Sequence, residues 1–403
     1  MSFIGDTVIL NTKEMNMERE FFICQNCLKD THLKKYCKNK GGLNDICIVC
    51  EKQDKGIKID KESKNEISNL FKSCLRFNHR EIEYNPNLDG KGLFEFFCNE
   101  NSLLNHQYKN YNSFHSLISS LFKNYNQNDV KIFYGKFIDN NEEYDSHFEV
   151  TLKNGFSEIW YELKKRLKRE NYYNIKPDLL QPLSEIIEKT KIKIRKNCRF
   201  FRARIGNDYI NESKFTSLIK KPVPFQGVNI SAPPPLLSSA GRLNREGVSY
   251  LYLSSKSTTA IAEIRPNPGD IVSVGEFKCL KTISLIDLRK VNLLKFIYSQ
   301  KEIELFSFAL SLSKEFMKPR TNKNSFHYLI TQFVAETFRE LNQDGIIYNS
   351  AVSNGYNITL FNPSLFEFVP ESSSLHRVNK VSFKSTEIKF TKNEIGFYVE
   401  KEI

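Results

Sequence analysis

The sequence predicts an α+β protein, and three observations carry that reading. Two Cys-x-x-Cys pairs stand near the start. A middle stretch repeats apolar residues at helical spacing. From Cys198 onward, short β-rich pieces are interrupted by two long helical patterns. A chain of 403 residues exceeds one ordinary core. The expected domains are 1–58, a small zinc ribbon; 59–197, helical; and 198–403, a compact sheet with helices.

Composition narrows the class. Apolar residues make up 40% and aromatics 13%, which fits a globular rather than a disordered chain. No run approaches the length that crosses a bilayer, so no membrane association is expected. Met1 to Asn16 lack a basic segment joined to an apolar one, so no signal peptide and a cytoplasmic location are expected. The net charge of +12 rests mainly on Lys scattered along the chain. Arg dominates where bases are read, so nucleic acid is not an expected partner. The densest basic runs, Lys164–Arg169 and Lys191–Lys196, are read as exposed helix faces.

Cys24-x-x-Cys27 and Cys47-x-x-Cys50 flank nineteen residues, the spacing of a four-thiolate zinc site. Each short turn presents two thiolates to one ion, and Gly41-Gly42 supply the return between them. His32 and Cys37 lie inside the loop and are alternative ligands. Paired structural cysteines or a redox motif are the competing readings; a reducing cytosol favours zinc. Four protein thiolates leave no open position, so such a metal is structural.

From Asp60 to Asn197 the pattern is helical. Ile67, Leu70, Phe71, Cys74 and Leu75 share one face, as do Ile159, Leu163 and Leu167, and Pro177 and Pro182 punctuate the last two helices. Beyond Cys198, strands are expected at Arg199–Ile205, Tyr250–Leu253, Ile271–Cys279, Ile283–Leu288, Gly345–Ser350 and Ile358–Phe361. Helices are expected at Glu302–Met317 and Ser325–Leu341, the second capped by Asn324-Ser325.

The richest stretch is Gly241-Arg-Leu-Asn-Arg-Glu-Gly247, followed by Tyr250-Leu-Tyr-Leu253 and Ser257-Thr-Thr-Ala-Ile-Ala-Glu-Ile-Arg265. It spaces Arg242, Tyr252 and Glu263 across a loop, a strand and a helix. Downstream, Asp344-Gly-Ile-Ile-Tyr-Asn-Ser350 and Asn354-Gly-Tyr-Asn-Ile-Thr-Leu-Phe361 put Ser350 at the end of an apolar strand. Arg202 and Arg204 on the opening strand add two guanidinium groups. Tyr250 and Tyr252 point the same way by alternation, and Ala260 and Ala262 imply tight packing around Glu263.

Together these motifs resemble the RES-domain family, NAD-degrading enzymes named for their Arg, Glu and Ser. The resemblance spans about Phe200 to Pro370. It implies a sheet like that of ADP-ribosyltransferases and cleavage of the nicotinamide–ribose bond of NAD(+), with water or phosphate as acceptor. It also implies a role as a toxin or defence effector. The implied catalytic residues are Arg242, Tyr252, Glu263 and Ser350. Arg202, Arg204, Arg242, Tyr252 and Ser350 would hold NAD(+). Ser350 stands in no Gly-x-Ser-x-Gly elbow and is read as a hydrogen-bonding group. The expected partners are NAD(+), an antitoxin or regulatory protein, and further copies of the chain. RES proteins of this length often carry a HEPN-like helical region. The ribonuclease version is excluded, because Arg76-Phe-Asn-His79 has only two intervening residues. The rival functions are ADP-ribosyl transfer to a protein and a non-enzymatic zinc-ribbon nucleic-acid binder.

Overall fold

The computed structural model describes residues 20–78, 157–214, 217–297, 300–318 and 326–382, with shorter pieces at 81–83, 90–91, 97, 103–105, 108–122, 131–134, 385, 390–392 and 398–400. The chain divides into two compact units, Met1–Lys189 with Lys290–Leu312, and Thr190–Arg289 with Ser313–Ile403. Among the described residues no helix is long and apolar enough to cross a membrane.

In the first unit, strands β1 (Phe21–Cys24), β2 (Leu43–Ile46) and β3 (Gln53–Ile59) form an antiparallel sheet in the order β1-β3-β2. Helix α1 (Thr31–Lys40) lies between β1 and β2 in sequence, and Asp30 caps it by accepting from the His32 and Leu33 amides. Helix α2 (Lys64–Asn78) buries Ile67, Leu70, Phe71, Cys74 and Leu75, the apolar face expected from spacing. A small three-stranded sheet, β4 (Glu81–Glu83), β5 (Gly90–Lys91) and β6 (Lys131–Tyr134), interrupts the region expected to be wholly helical. Helices α3 (Tyr111–Leu121), α4 (Glu158–Arg166) and α5 (Tyr172–Thr190) complete the unit's named elements up to Lys189.

Pro177 and Pro182 both lie inside α5 rather than dividing two helices. Each removes one backbone hydrogen bond. Burial of Ile175, Leu179, Leu183, Ile186 and Ile187 along one stripe offsets that loss. His79, the second residue of the tested ribonuclease pair, lies outside the described residues, as does the expected cap Asn324-Ser325.

The second unit is built on a nine-stranded mixed sheet in the order β16-β12-β8-β11-β15-β14-β13-β7, with β17 also pairing β12. Its members, with the two-stranded β9–β10 arm that precedes β11, are β7 (Lys191–Ile194), β8 (Arg199–Ile205), β9 (Asp208–Lys214), β10 (Ser217–Val223), β11 (Leu251–Ser254), β12 (Ile271–Cys279), β13 (Ile283–Asp287), β14 (Gly345–Asn349), β15 (Tyr356–Leu360), β16 (Phe366–Phe368) and β17 (Ser374–Arg377). Only β13 and β14 run parallel. Between them in sequence come α7 (Gln300–Met317) and α8 (Phe326–Glu340), and α8 packs on β14. The basic run Lys191–Lys196 contains edge strand β7 rather than a helix. Lys and Ile alternate there with period two, and lysine on an edge strand blocks unwanted pairing.

Both sheet faces are covered. Phe200, Leu251, Leu253, Phe277, Leu285, Ile347, Ile358 and Leu360 pack on one side. Ala203, Val272 and Val274 meet Ala260 of α6 (Ser257–Glu263) on the other, with Phe201, Ile261 and Ile264 alongside. The sheet has one weak seam. Strand β8 runs against β12 from Arg199 to Ile205, but it meets β11 at a single register pair, Phe201 with Ser254.

Candidate active site

The loop 238–248 is organised from within by Asn244, which is buried. Its amide donates to the carbonyls of Ser239 at 3.0 Å and Val248 at 2.9 Å, and its Oδ1 accepts from the Tyr252 hydroxyl at 2.7 Å. The Tyr252 oxygen in turn accepts from the Leu243 amide at 3.1 Å. Burial raises this phenol well above its ordinary range, so it stays protonated and donates. From α8, Gln332 donates to the carbonyls of Gly241 at 2.8 Å and Asn244 at 2.9 Å, and Thr331 donates to that of Arg242. A Cβ at Gly241 would lie 2.3 Å from Asn244 Oδ1 and 2.8 Å from the Tyr252 hydroxyl, and Gly247 has φ +77°. Both glycines therefore serve the loop's own folding.

Tyr252 keeps part of its surface exposed, whereas Tyr250 is buried against Phe361 with its hydroxyl 3.4 Å from Glu336. Of the two tyrosines, Tyr250 is a packing residue.

Glu263 is the last residue of α6. Its Oε1 accepts from Ser350 Oγ at 2.6 Å and from Asn357 Nδ2 at 2.6 Å. Asn357 Oδ1 accepts from Ser254 Oγ at 2.8 Å, at the seam of the sheet. The β14–β15 turn is fastened beside this group. The Ser350 amide donates to Gly355, the Tyr356 amide to Ser255 Oγ, and Thr259 and Ser353 share a hydrogen bond of 2.9 Å. Among the described residues no cation pairs with Glu263. Two other carboxylates of this unit differ: Glu276 is paired with Arg199 at 2.9 Å, and Glu246 is exposed on the loop.

Arg242 donates to the Phe316 carbonyl and lies 5.8 Å from the centre of the buried Tyr348 ring. Alternation sets Arg202 and Arg204 on the Phe200 side of β8, whereas Phe201 and Ala203 face α6. The structure thus joins Glu263 directly to Ser350 and links Arg242 to Tyr252 through one loop; Arg202 touches this group only at the Tyr252 backbone, and Arg204 bonds elsewhere. Arg204 donates to the Asn229 carbonyl at 2.6 Å and stacks on Phe225. Arg202 reaches across the seam to the Tyr252 carbonyl at 3.1 Å. Its Nε is buried with no hydrogen-bond partner, and burial, then Arg204, lowers the group to about 10. No carboxylate pairs with Arg202, Arg204 or Arg242 among the described residues, while Arg199 and Arg289 are held by Glu276 and Asp287. Guanidinium groups without counter-anions beside a split in the sheet suit an anionic ligand.

The sequence reading missed Asn244, Ser254, Tyr348 and Asn357. One signal was available: Asn is disfavoured inside strands, yet Asn357 opens the apolar run Ile358-Thr-Leu-Phe361.

In the first unit, the four sulfurs of Cys24, Cys27, Cys47 and Cys50 lie within 4.8 Å of one another. Cys24 and Cys50 are 3.7 Å apart, and neither is in a disulfide. The hydrogen bond from Cys27 lowers the Cys47 thiol to about 4, while burial raises Cys24 to about 11. Cys37 lies outside the cluster, and His32 packs edge-on against Phe77 and Phe306.

None of the curated proteins compared matches the chain. Among solved structures, a chain of the crystal structure of the M. tuberculosis MbcT-MbcA toxin-antitoxin complex is similar at 10% identity and a TM-score of 0.28, over 49% of this chain and 92% of that one. The family model described as the RES domain matches residues 219–379, a span that contains the organised loop, Tyr252, Glu263, Ser350 and Asn357. Residues 219–379 of this mixed α+β chain therefore match the RES domain, and most of them lie in the second unit.

Proposed function

We propose that this protein consumes NAD(+) by cleaving its nicotinamide–ribose bond, as a glycohydrolase or phosphorylase, and acts as a toxin or defence effector that depletes the dinucleotide. The observation that carries the reading is Glu263: a carboxylate with no paired cation among the described residues, held through one oxygen by Ser350 and Asn357. Nicotinamide leaves as a neutral molecule, so its departure needs no general acid. The demand falls on the ribose, which gains positive charge as the bond stretches. A fixed carboxylate beside it stabilises that charge without reorganising.

The remaining residues fit binding. Arg242 offers the pyrophosphate a guanidinium group that has no carboxylate partner among the described residues, whereas Arg202 and Arg204 lie on the face of β8 opposite α6 and only Arg202 reaches the seam beside β11. The hydroxyl of Tyr252 is committed to the loop, which fixes the ring that would flank nicotinamide. Ser350 donates its hydroxyl hydrogen to Glu263, accepts from the Val352 amide at 3.2 Å and retains one lone pair for a substrate hydroxyl. A small antitoxin or other regulatory protein is the implied macromolecular partner. The test is incubation of the pure protein with NAD(+), with and without phosphate, following nicotinamide and the ribosyl product by chromatography. Free ADP-ribose marks hydrolysis and its 1-phosphate marks phosphorolysis. ADP-ribose attached to protein moves the reading to transfer, and no nicotinamide under any condition rejects it.

The cysteine cluster fits structural zinc. A tetrahedral ion with Zn–S bonds of about 2.3 Å sets its sulfurs about 3.8 Å apart. The Cys24–Cys50 separation already has that length. Four thiolates close the shell, so the ion would brace β1 and the turn after β2 rather than take part in chemistry.

A further inference from the structure

Glu263 is tied down asymmetrically. Both of its hydrogen bonds end on Oε1, and none reaches Oε2 among the described residues. A carboxylate only accepts, so the Asn357 amide must turn its NH2 toward Glu263 and its oxygen toward Ser254. The Ser254 hydroxyl then donates into Asn357 Oδ1 at 2.8 Å. Register supports the arrangement, since Asn357 stands opposite Ser254 on β11 and opposite Tyr348 on β14. Ser254 and Asn357 are both buried, at 4% and 5% exposure, so the amide is packed in one orientation. Burial of an Asn in mid-sheet is costly unless both ends are satisfied, and here they are.

We infer that Asn357, oriented by Ser254, is a positioning residue: it immobilises Oε1 of Glu263 and leaves Oε2 as the oxygen that faces the reacting ribose. This rests on the NAD(+)-cleaving reading. The relay acts through Glu263 alone and does not touch substrate. Its loss therefore lowers turnover and spares substrate binding.

The experiment measures kcat and KM for nicotinamide release, with thermal unfolding recorded for each variant. Asn357→Ala is expected to lower kcat about 10- to 100-fold, the value of a hydrogen bond to a charged group, with KM within about threefold. Asn357→Asp keeps the shape and the acceptor for Ser254 but replaces the donor with a second carboxylate, and is expected to be at least as impaired. Ser254→Ala is expected to cost about three- to tenfold in kcat, and Ser254→Thr to recover what Ser254→Ala loses. In a Glu263→Ala background, Asn357→Ala should remove less than about twofold more, because the group it positions is gone. If Asn357→Ala unfolds the protein, the Ser254 pair decides the matter. An unchanged kcat in Asn357→Ala, or the same loss with and without Glu263, overturns the inference. A wild-type protein that releases no nicotinamide overturns the parent reading and this one with it.

Discussion

Arg202 shows how a single residue separates binding from stability. Its guanidinium reaches one carbonyl, keeps a buried Nε unpartnered and pairs with no carboxylate among the described residues. A half-buried guanidinium with an unpartnered Nε costs the fold stability, and an apolar side chain of similar length removes that cost. Arg202→Met is therefore expected to hold or raise the unfolding midpoint while weakening NAD(+) binding at least about tenfold, the scale of a lost charge-assisted contact. Thermal unfolding and calorimetric titration check the two halves. A destabilised Arg202→Met protein with normal NAD(+) affinity would make Arg202 structural. The contrast with Arg199 is instructive, because a residue three positions away on the same strand is neutralised by Glu276.

At the scale of elements, the loop 238–248 and the cysteine knuckles make separate predictions. Asn244 serves the carbonyls of Ser239 and Val248 and accepts from Tyr252, so Asn244→Ala leaves buried polar groups without partners. It should cost about 2 kcal/mol or more in stability and raise KM, because Arg242 and Tyr252 lose their common anchor; denaturant unfolding and steady-state kinetics test this. The native protein should contain one zinc per chain by elemental analysis, and Cys47→Ser should lose it and unfold the first unit more readily. Substoichiometric metal with unchanged unfolding in chelator would reject that site. These elements differ in how much the sequence disclosed. Arg199–Ile205 and Ile271–Cys279 were legible to the residue, because branched and aromatic residues run between turn signals. The run Lys191–Lys196 was misread because its alternation is only four residues long inside a basic stretch. The β9–β10 arm was missed because residues such as Tyr209-Ile210 are exposed and set no alternating apolar pattern. In the site, Glu263 and Ser350 were recognisable by motif, but their meeting required the β14–β15 turn to fold against α6, which no local spacing encodes.

For the whole molecule, the proposed cleavage of NAD(+) depends on the charge of Glu263, which lies within the span that matches the RES domain. Glu276 and Glu246 are weaker alternatives, since Glu276 is paired with Arg199 and Glu246 lies exposed on the loop. Glu263→Gln keeps the size of the side chain and removes only the charge that favours an oxocarbenium-like ribose. The arginines that would hold the pyrophosphate are left in place. The deciding measurement is nicotinamide release from NAD(+) by wild type and Glu263→Gln, with NAD(+) affinity determined on the same samples. The account predicts release by wild type, a loss of about 2–4 kcal/mol of transition-state stabilisation in the variant (about 30- to 1000-fold in kcat), and an affinity changed only a few-fold. Near-normal turnover by Glu263→Gln would contradict it.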